Sequence, residues 1–210
     1  MIKLFFNDRL LLLSDNWDYC KAEMNAISYK VTKKSEIKEL IVQFLENTQW
    51  RCFILVSENI EELFDEVGCC FERLDAAGGL VQNKSGDVLM IYRNGHWDLP
   101  KGRCEPNERW ESTALREVEE ECSIDGLQLF RPITTTYHIY RDMYSVEEKI
   151  VLKSTHWYLM NYSGSAQPIP QAIEGIERAE WISASDIPAV LTAVYNSIRE
   201  VFRAADLMNC

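Results

Sequence analysis

The chain has 210 residues, of which 47% are hydrophobic and 26% are charged, and its formal net charge is −11 with a sequence pI of about 4.8. Such a composition is ordinary for a soluble globular protein, and the length suffices for one large domain or for a small one plus a medium one. The acidic balance argues against a nucleic acid as partner, because that binding depends on clustered Lys and Arg.

Targeting signals and cysteine usage favour a cytoplasmic location. No apolar run approaches the roughly 18 residues that a membrane span needs. Asn7, Asp8 and Arg9 interrupt the start of the chain, where a signal peptide would need an apolar core. Seven cysteines, an odd number without a C-x-x-C pair, indicate reduced thiols. The three histidines lie at no metal-ligand spacing, so no zinc is expected. Because no apolar run is long enough for a membrane span, no membrane partner is expected either.

The first seventy residues have the pattern of a small α/β module. The sequence predicts an N-terminal β-hairpin, a helix over residues 36–46, a buried strand over residues 51–56 and a second helix that ends at Gly68. No catalytic constellation is found in residues 1–70, so their role is left open between packing, dimerisation and substrate shaping. The turn and cap residues predicted here are Asn7 and Asp8 in the hairpin and Ser35 and Ser57 before the two helices.

The remainder of the chain, residues 71–210, is predicted to form a second domain of mixed α+β type. A first strand is expected to break at Gly78 and Gly79. A turn over residues 84–86 then leads into a second strand over residues 88–92. A loop rich in turn formers follows and runs into a helix that carries several glutamates.

After that helix the pattern continues with β structure and closes with another helix. Two long β-rich stretches are predicted over residues 127–140 and 149–162. A short strand ending at Trp181 follows, and Ser185 is expected to cap a final helix over residues 186–202. One helix against a sheet and another that closes the domain are typical of an α+β fold.

The stretch "ALREVEEECSI", residues 114–124, carries four glutamates in five positions. On a helix, Glu117, Glu120 and Glu121 share a face, and like charges at that spacing cost about 0.2 to 0.5 kcal/mol per pair. A solvated acidic face is one interpretation, and a site for a hard cation such as magnesium or manganese is the other. The apolar positions of the helix lie beside these carboxylates rather than opposite them, which favours the cation.

Gly102, Glu108 and Arg116 complete a larger pattern with these glutamates. Gly102, five residues, Glu108, seven residues and then "REVEEECSI" resembles the Nudix box, G-x5-E-x7-R-E-U-x-E-E-x-G-U with U aliphatic. The one departure is Ser123, which replaces the second glycine. The resemblance covers roughly residues 71–202. It implies an αβα sandwich around a mixed sheet and the hydrolysis of a diphosphate linkage in a nucleoside diphosphate derivative by water attack at phosphorus.

The resemblance also implies roles for the residues of the box. The site would hold Mg²⁺ or Mn²⁺ on the diphosphate, with Arg116 and Glu108 orienting the ligands. Glu117 or Glu121 would be the base that accepts the proton of the attacking water. The implied metal ligands are the carbonyl of Gly102 and the carboxylates of Glu117, Glu120 and Glu121.

Two positions of the box are expected to have a left-handed backbone. Ser123 stands where the box glycine ends the helix, and serine in that conformation costs about 1 kcal/mol. Asn107 stands where many relatives have glycine, and asparagine tolerates a positive φ. Because Ser123 follows the last implied ligand, activity is expected to survive.

Substrate contacts are expected from residues around the box. "WDLPKG" is most similar to the branch that cleaves dinucleoside polyphosphates, in which a tyrosine lies about sixteen residues beyond the box. Cationic side chains would contact phosphates, and the alternative that each is only a solvated surface charge is equally open. A glutamate outside the box would supply a further metal ligand or base. The candidate substrate-binding residues are Lys101, Arg103, Arg93, Tyr140 and Glu174.

Two alternatives belong to other functional classes. A non-catalytic Nudix-fold nucleotide-binding sensor is disfavoured by the intact set of glutamates, since a sensor can discard them. An isomerase acting on an isoprenoid diphosphate shares the fold and needs a cysteine and a glutamate facing the substrate, and Cys104 is the candidate cysteine. The expected partner is a small nucleotide or polyphosphate, and the oligomeric state is left open between monomer and homodimer.

Overall fold

The computed structural model describes residues 1–17, 26–142 and 149–208, and the chain divides into two compact units. Two long strands run through both units, so the division differs from a single boundary at residue 70, and separate domains on either side of that residue stay a prediction. None of the helices in the described ranges is both long and apolar enough to span a membrane. The first unit comprises Met1–Leu74 and Tyr137–Lys153, and the second comprises Asp75–Thr136 and Ser154–Cys210.

The described residues of the first unit up to Leu74 form four strands and two helices. They are β1 (Ile2–Phe6), β2 (Arg9–Ser14), β3 (Ala26–Lys30), α1 (Ile37–Glu46), β4 (Cys52–Val56) and α2 (Ile60–Gly68). Strands β1 and β2 are antiparallel, whereas β2 and β3 both pair with β4 in parallel. Asn7 has a φ of 54°, and the predicted hairpin is confirmed. Both helices bury their apolar residues on one face of this sheet, where Leu11 and Phe53 contact Phe44 and Leu63 in one cluster.

The two serines predicted to cap these helices do not cap them. Ser35 lies in a 3₁₀ turn before α1, and the N-cap position is Glu36, which is already in the right-handed helical region and makes no capping bond. In α2 the cap is Asn59, whose side chain accepts a hydrogen bond from the N–H of Glu62 at 3.1 Å. Ser57 instead accepts from the N–H of Asn59 at 3.4 Å, so its hydroxyl stabilises the turn before the helix.

The second unit has a sheet with helices on both faces. Leu80 and Trp157 contact α4 (Ile187–Val190) and α5 (Asn196–Ala204) on one face, whereas Val81 and Met160 contact α3 (Trp110–Cys122) on the other. Neighbouring strand residues therefore alternate between two cores. The predicted α+β fold with a mixed sheet is confirmed, as are the two long β-rich stretches. The elements are β5 (Glu72–Asn83), β6 (Val88–Arg93), β7 (His96–Asp98), β8 (Lys101–Arg103), α3 (Trp110–Cys122), β9 (Leu127–Asp142), β10 (Lys149–Tyr162), β11 (Arg178–Ile182), α4 (Ile187–Val190) and α5 (Asn196–Ala204).

The order of strands in this unit is β11-β6-β5-β10-β9, with β7 paired to β6 and β8 paired to β5. Strand β5 continues through Gly78 and Gly79, so the predicted glycine break is wrong. A Cβ on Gly78 would lie 2.4 Å from the carbonyl oxygen of Pro100, and one on Gly79 would lie 2.8 Å from the sulfur of Met160. The two glycines therefore permit close packing within a continuous strand.

The predicted single final helix is also wrong, because it is divided into α4, a 3₁₀ turn and α5. Val194 is extended, with φ −105° and ψ 162°, and forms an isolated parallel bridge with Trp97. Asp186, rather than Ser185, occupies the N-cap of α4, and the N–H of Asp186 bonds to the carbonyl of Ser183 at 2.9 Å. Pairing with β7 thus overrides the local helical pattern.

Candidate active site

Helix α3 holds the acidic residues in place because its other flank is buried. Val118 and Cys122 are fully buried in the cluster that this helix shares with the sheet. A following loop ties down the C-terminal end of the helix. The N–H of Ile169 donates to the carbonyl of Cys122 at 2.8 Å, and the N–H of Gln171 donates to that of Glu121 at 3.0 Å. These bonds pair two of the carbonyls that a helix leaves unpaired at its end.

Arg116 joins three glutamates of the box. Its Nε and Nη2 donate to the two carboxylate oxygens of Glu108 at 2.9 and 2.8 Å, a forked arrangement that fixes both side chains. Its Nη1 contacts Glu117 at 2.6 Å and Glu120 at 3.2 Å. The buried hydroxyl of Thr113 donates to Glu108 at 2.7 Å. One guanidinium thus holds the carboxylates of Glu117 and Glu120 beside each other.

The Glu108–Arg116 pair predicts a defined response to acid. The hydrogen bonds from Arg116 lower the pKa of Glu108 from 4.5 to about 2. A lowered pKa in the folded state means that the stabilisation is complete above pH 4.5 and is lost as the pH falls toward about 2. We therefore expect the difference in melting temperature between wild type and Glu108→Gln to shrink steadily across that window. A difference that stays constant with pH would show that the carboxylate charge is not what stabilises the site.

Glu121 has different surroundings from the other two glutamates of the α3 face. Only 2% of its surface is exposed, and it accepts a hydrogen bond from the backbone N–H of Lys101 at 2.8 Å. Arg93 contacts its other oxygen at 3.4 Å. Burial raises the pKa of Glu121 to about 7, against the opposing charges of Lys101 and Arg93. The carboxyl can therefore change its protonation state near neutral pH.

Asp98 is a buried member of the site that sequence reasoning missed. It is 3% exposed, and it contacts Lys101 at 2.5 Å and Arg93 at 3.4 Å. Burial alone would raise the pKa of Asp98, but these two cations outweigh it and hold the pKa below its usual value. Its position in "WDLPKG" gave the only signal, an acid between apolar residues and three positions before a lysine. Lys101 and Arg93 thus each contact carboxylates of the protein itself.

Gly102 passes directly over Glu117. A Cβ at this position would lie 1.8 Å from a carboxylate oxygen of Glu117, so no larger residue fits while that side chain keeps its place. Strand β8 brings the glycine there by pairing with β5, in which Ala77 lies opposite Gly102. Gly102 and Glu117 are therefore close neighbours, and their role as metal ligands stays a prediction.

The remaining candidate residues, Arg103, Glu174 and Tyr140, lie in different surroundings. Arg103 is exposed, and its carbonyl accepts from Arg116 at 3.2 Å. Glu174 is exposed at the end of a 3₁₀ turn. Burial raises the pKa of Glu117, and the charge of Glu174 contributes to that rise, so Glu174 belongs to the surroundings of the α3 carboxylates. Tyr140 belongs to the first unit and stacks on His138, and its role at the substrate stays a prediction.

The donor chemistry of the α3 face suits a hard divalent cation. Glu117 and Glu120 already contact one positive nitrogen, Nη1 of Arg116, and carboxylate oxygens are what magnesium and manganese prefer. Across residues 1–17, 26–142 and 149–208, no three His, Cys, Asp or Glu side chains are grouped closely enough to hold a metal ion. Glu121 is directed toward Lys101 and Arg93. All three carboxylates have the chemistry of ligands for such a cation, and two of them, Glu117 and Glu120, lie against the same nitrogen of Arg116.

Ser123 ends α3 in the left-handed conformation, with φ 52° and ψ 40°, and Asn107 has a φ of 65°. Both backbone predictions are confirmed. Because glycine adopts that conformation without a clash, Ser123→Gly is expected to raise the free energy of unfolding by about 1 kcal/mol. Chemical denaturation would measure it, with Ser123→Ala as a control that keeps the strain. A glycine variant no more stable than the alanine variant would contradict this account.

Comparisons with known proteins agree with the geometry of the box. Residues 72–205 match the NUDIX domain family. The chain is similar to an RNA pyrophosphohydrolase of Erythrobacter litoralis, with 26% identity over 145 residues that make up 61% of this chain and 85% of the relative. It is also similar to an asymmetrical bis(5'-nucleosyl)-tetraphosphatase of Sus scrofa, with 46% identity over 52 residues, 23% of this chain and 35% of that protein.

This chain is also similar to proteins whose structures have been solved. The crystal structure of a MutT protein from Methanosarcina mazei Go1 is similar with a TM-score of 0.49 and 20% sequence identity, over 66% of this chain and 96% of that one. The family match alone spans more than half of the chain and includes the whole box. The chain therefore belongs to the NUDIX domain family and is an enzyme that acts on phosphorus-containing anhydrides.

Proposed function

We propose that this enzyme uses Mg²⁺ or Mn²⁺ on the glutamates of α3 to hydrolyse a diphosphate linkage in a nucleoside diphosphate derivative. The observation that carries the proposal is the Arg116 arrangement, in which one guanidinium fixes Glu108 and brings Glu117 and Glu120 together. These residues occupy the register of the family box. Glu120 is also half exposed, so a ligand in solution can reach it.

A cation bound there would neutralise phosphate charge and lower the pKa of a water molecule. Glu117 and Glu120 are its proposed ligands, with the carbonyl of Gly102 and the carboxylate of Glu121 completing the set. Arg116 and Glu108 are positioning residues, because their contacts are to the glutamates. Such supporting partners typically contribute about 10-fold to 100-fold to metal affinity or activity.

Two glutamates are proposed as alternatives for the base. Burial raises the pKa of both Glu117 and Glu121, and for Glu121 it reaches about 7. A base works best when its pKa lies near the working pH. Comparing the pH profile of the rate in Glu117→Gln and Glu121→Gln identifies it, because loss of the base removes the acidic limb of the profile. Glu174 is a third candidate from outside the box.

For the substrate we propose a dinucleoside polyphosphate or a related small nucleotide. The similarity to a bis(5'-nucleosyl)-tetraphosphatase supports this class. Another relative is named for RNA, but a net charge of −11 disfavours a long polyanion. Because Lys101 and Arg93 are paired with Asp98, the exposed Arg103 is the proposed phosphate contact among the three cations.

The test is product analysis over a panel of diadenosine polyphosphates, nucleoside triphosphates, ADP-ribose, nucleotide sugars, diphosphoinositol phosphates, isopentenyl diphosphate and 5'-triphosphorylated RNA. Each is incubated with magnesium, with manganese and with chelator. We expect metal-dependent cleavage of a dinucleoside polyphosphate. Tight binding of a nucleotide without any cleavage would overturn the proposal in favour of a sensor, and isomerised isopentenyl diphosphate would favour the isomerase.

The division of labour along the chain is part of the proposal. Residues 71–210 would form the hydrolase domain, since every residue of the α3 arrangement lies in the second unit. Residues 1–70 would then form an accessory module without catalytic groups. Sedimentation equilibrium of the full chain distinguishes a monomer from a homodimer.

A further inference from the structure

The first unit contains a cavity of about 360 Å³ between strand β3 and helix α1. That volume lies in the range of small-molecule sites. The side chains of Leu40 and Phe53 that border it are buried, whereas Trp50 is partly exposed. Ile27 and Tyr29 of β3 are 41% and 38% exposed. Large apolar side chains thus remain accessible around one concave site.

The order of residues in β3 and α1 builds this cavity. Strand β3 pairs with β4 in parallel, with Ile27 opposite Phe53, and the alternation of a strand places Tyr29 on the same side as Ile27. The N-cap residue Glu36 and Glu39, Leu40 and Gln43 of α1 lie at the spacing of one helical face and all border the cavity. An acidic helix face therefore lies against an aromatic strand face.

The aromatic lining suits a cation. The rings of Trp50 and Phe53 stack at a centroid distance of 4.9 Å, and Tyr29 adds a third ring. Aromatic faces attract ammonium groups through their quadrupoles, most strongly for tryptophan. The same rings give methyl and methylene groups an apolar contact.

The charge of the lining has the matching sign. Glu36 and Glu39 are the ionisable side chains that border the cavity together with Tyr29, and no Lys, Arg or His is among the described residues that line it. Their described hydrogen bonds come from neutral donors, Thr32 to Glu36 at 3.4 Å and Gln43 to Glu39 at 3.3 Å. Two negative charges beside the accessible rings of Trp50 and Tyr29 favour a ligand that is positive and partly apolar.

We propose that this cavity binds a small alkylammonium ion, such as a polyamine or a quaternary amine, with its carbon atoms against Trp50 and Tyr29 and its charge near Glu36 and Glu39. The site is separate from the α3 glutamates in sequence and in unit. Its occupation does not depend on the hydrolytic reaction, so failure of either proposal leaves the other standing.

Titration calorimetry on the full chain tests this, with spermidine and choline as probes and 3,3-dimethyl-1-butanol as the neutral analogue of choline. We expect binding of at least one amine, no binding of the alcohol, and an affinity that falls at least tenfold in the Glu36→Gln/Glu39→Gln double variant. Glu46→Gln, on the same helix but away from the lining, should bind as wild type does. Trp50→Leu should also weaken binding and remove any ligand-dependent fluorescence change.

Three results would overturn the proposal. They are no binding of either amine at millimolar concentration, equal binding of the alcohol, and unchanged affinity in the double glutamine variant. Sedimentation equilibrium in the same buffers tests whether a second copy of the chain occupies the cavity instead of an amine. Self-association that the double variant abolishes, without amine binding, would assign the cavity to a second copy of the chain instead.

Discussion

Replacing Glu120 by Gln is expected to lower the rate of hydrolysis by about 10³-fold while leaving the fold unchanged. The side chain is 50% exposed, and its described ion pair is a 3.2 Å contact to Arg116. Exposed pairs of this kind contribute less than about 1 kcal/mol to stability. The loss would thus come from the cation site, and steady-state rates together with thermal melting measure both quantities.

Glu119 offers a matched control, because it is the adjacent glutamate on the same helix and lies outside the predicted ligand set. Glu119→Gln should retain the activity of the wild type. A Glu120→Gln enzyme that turns over normally would refute the metal site, whereas a variant with a much lower melting temperature would show that the residue is structural.

Replacing Arg9 by Met is expected to lower the stability of the first unit by about 3 to 5 kcal/mol. Only 6% of Arg9 is exposed, and its guanidinium donates to the carbonyls of Phe44, Asn47 and Leu45 at 2.6, 2.9 and 3.3 Å. It also lies over the rings of Phe6 and Phe44 at 4.6 and 4.7 Å. Removing it takes the side-chain donor from the carbonyls of Phe44 and Leu45 at the end of α1, whereas the Asn47 carbonyl still accepts from the N–H of Trp50 at 3.3 Å. Urea unfolding with hydrogen exchange of the α1 amides measures the effect.

Arg51 provides the comparison for that experiment. It forms an ion pair with Asp8 in which both side chains are about two-thirds exposed, 67% and 69%. Arg51→Met should therefore cost less than about 1 kcal/mol. Equal losses in the two variants would mean that helix capping by Arg9 contributes little, and that both effects arise from removing positive charge from an acidic chain.

The parts of the fold that could be predicted are those in which local pattern and tertiary packing agree. The hairpin at Asn7 and the long strands β9 and β10 belong to this group. In the sequence, Gly78 and Gly79 look like the end of a strand. Only their close approach to Pro100 and Met160 in the fold shows that they permit tight packing within a continuous strand. The final helix is interrupted because Val194 pairs with a strand almost a hundred residues earlier, a contact that no local window contains.

The candidate site divides in the same way. Fixed spacing along one helix and its preceding loop brings Gly102, Glu117 and Arg116 together, and the box pattern encodes that spacing. Asp98 could not be predicted as a site residue, because its role depends on its burial beside Arg93 and Lys101, and the sequence alone does not show which side chains are buried together. For the same reason the sequence does not show that Arg93 and Lys101 contact carboxylates of the protein, and their contact with phosphate stays a prediction.

Hydrolysis of the best substrate in oxygen-18 water, with and without magnesium, tests the central claim most directly. Water attack at phosphorus beside a cation held by Glu117 and Glu120 predicts one labelled phosphoryl product, formed with magnesium and absent with chelator. Mass spectrometry of the products reads the label. Label in a nucleoside hydroxyl group, which would indicate attack at carbon, would contradict the account. Unchanged turnover in chelator would contradict it as well.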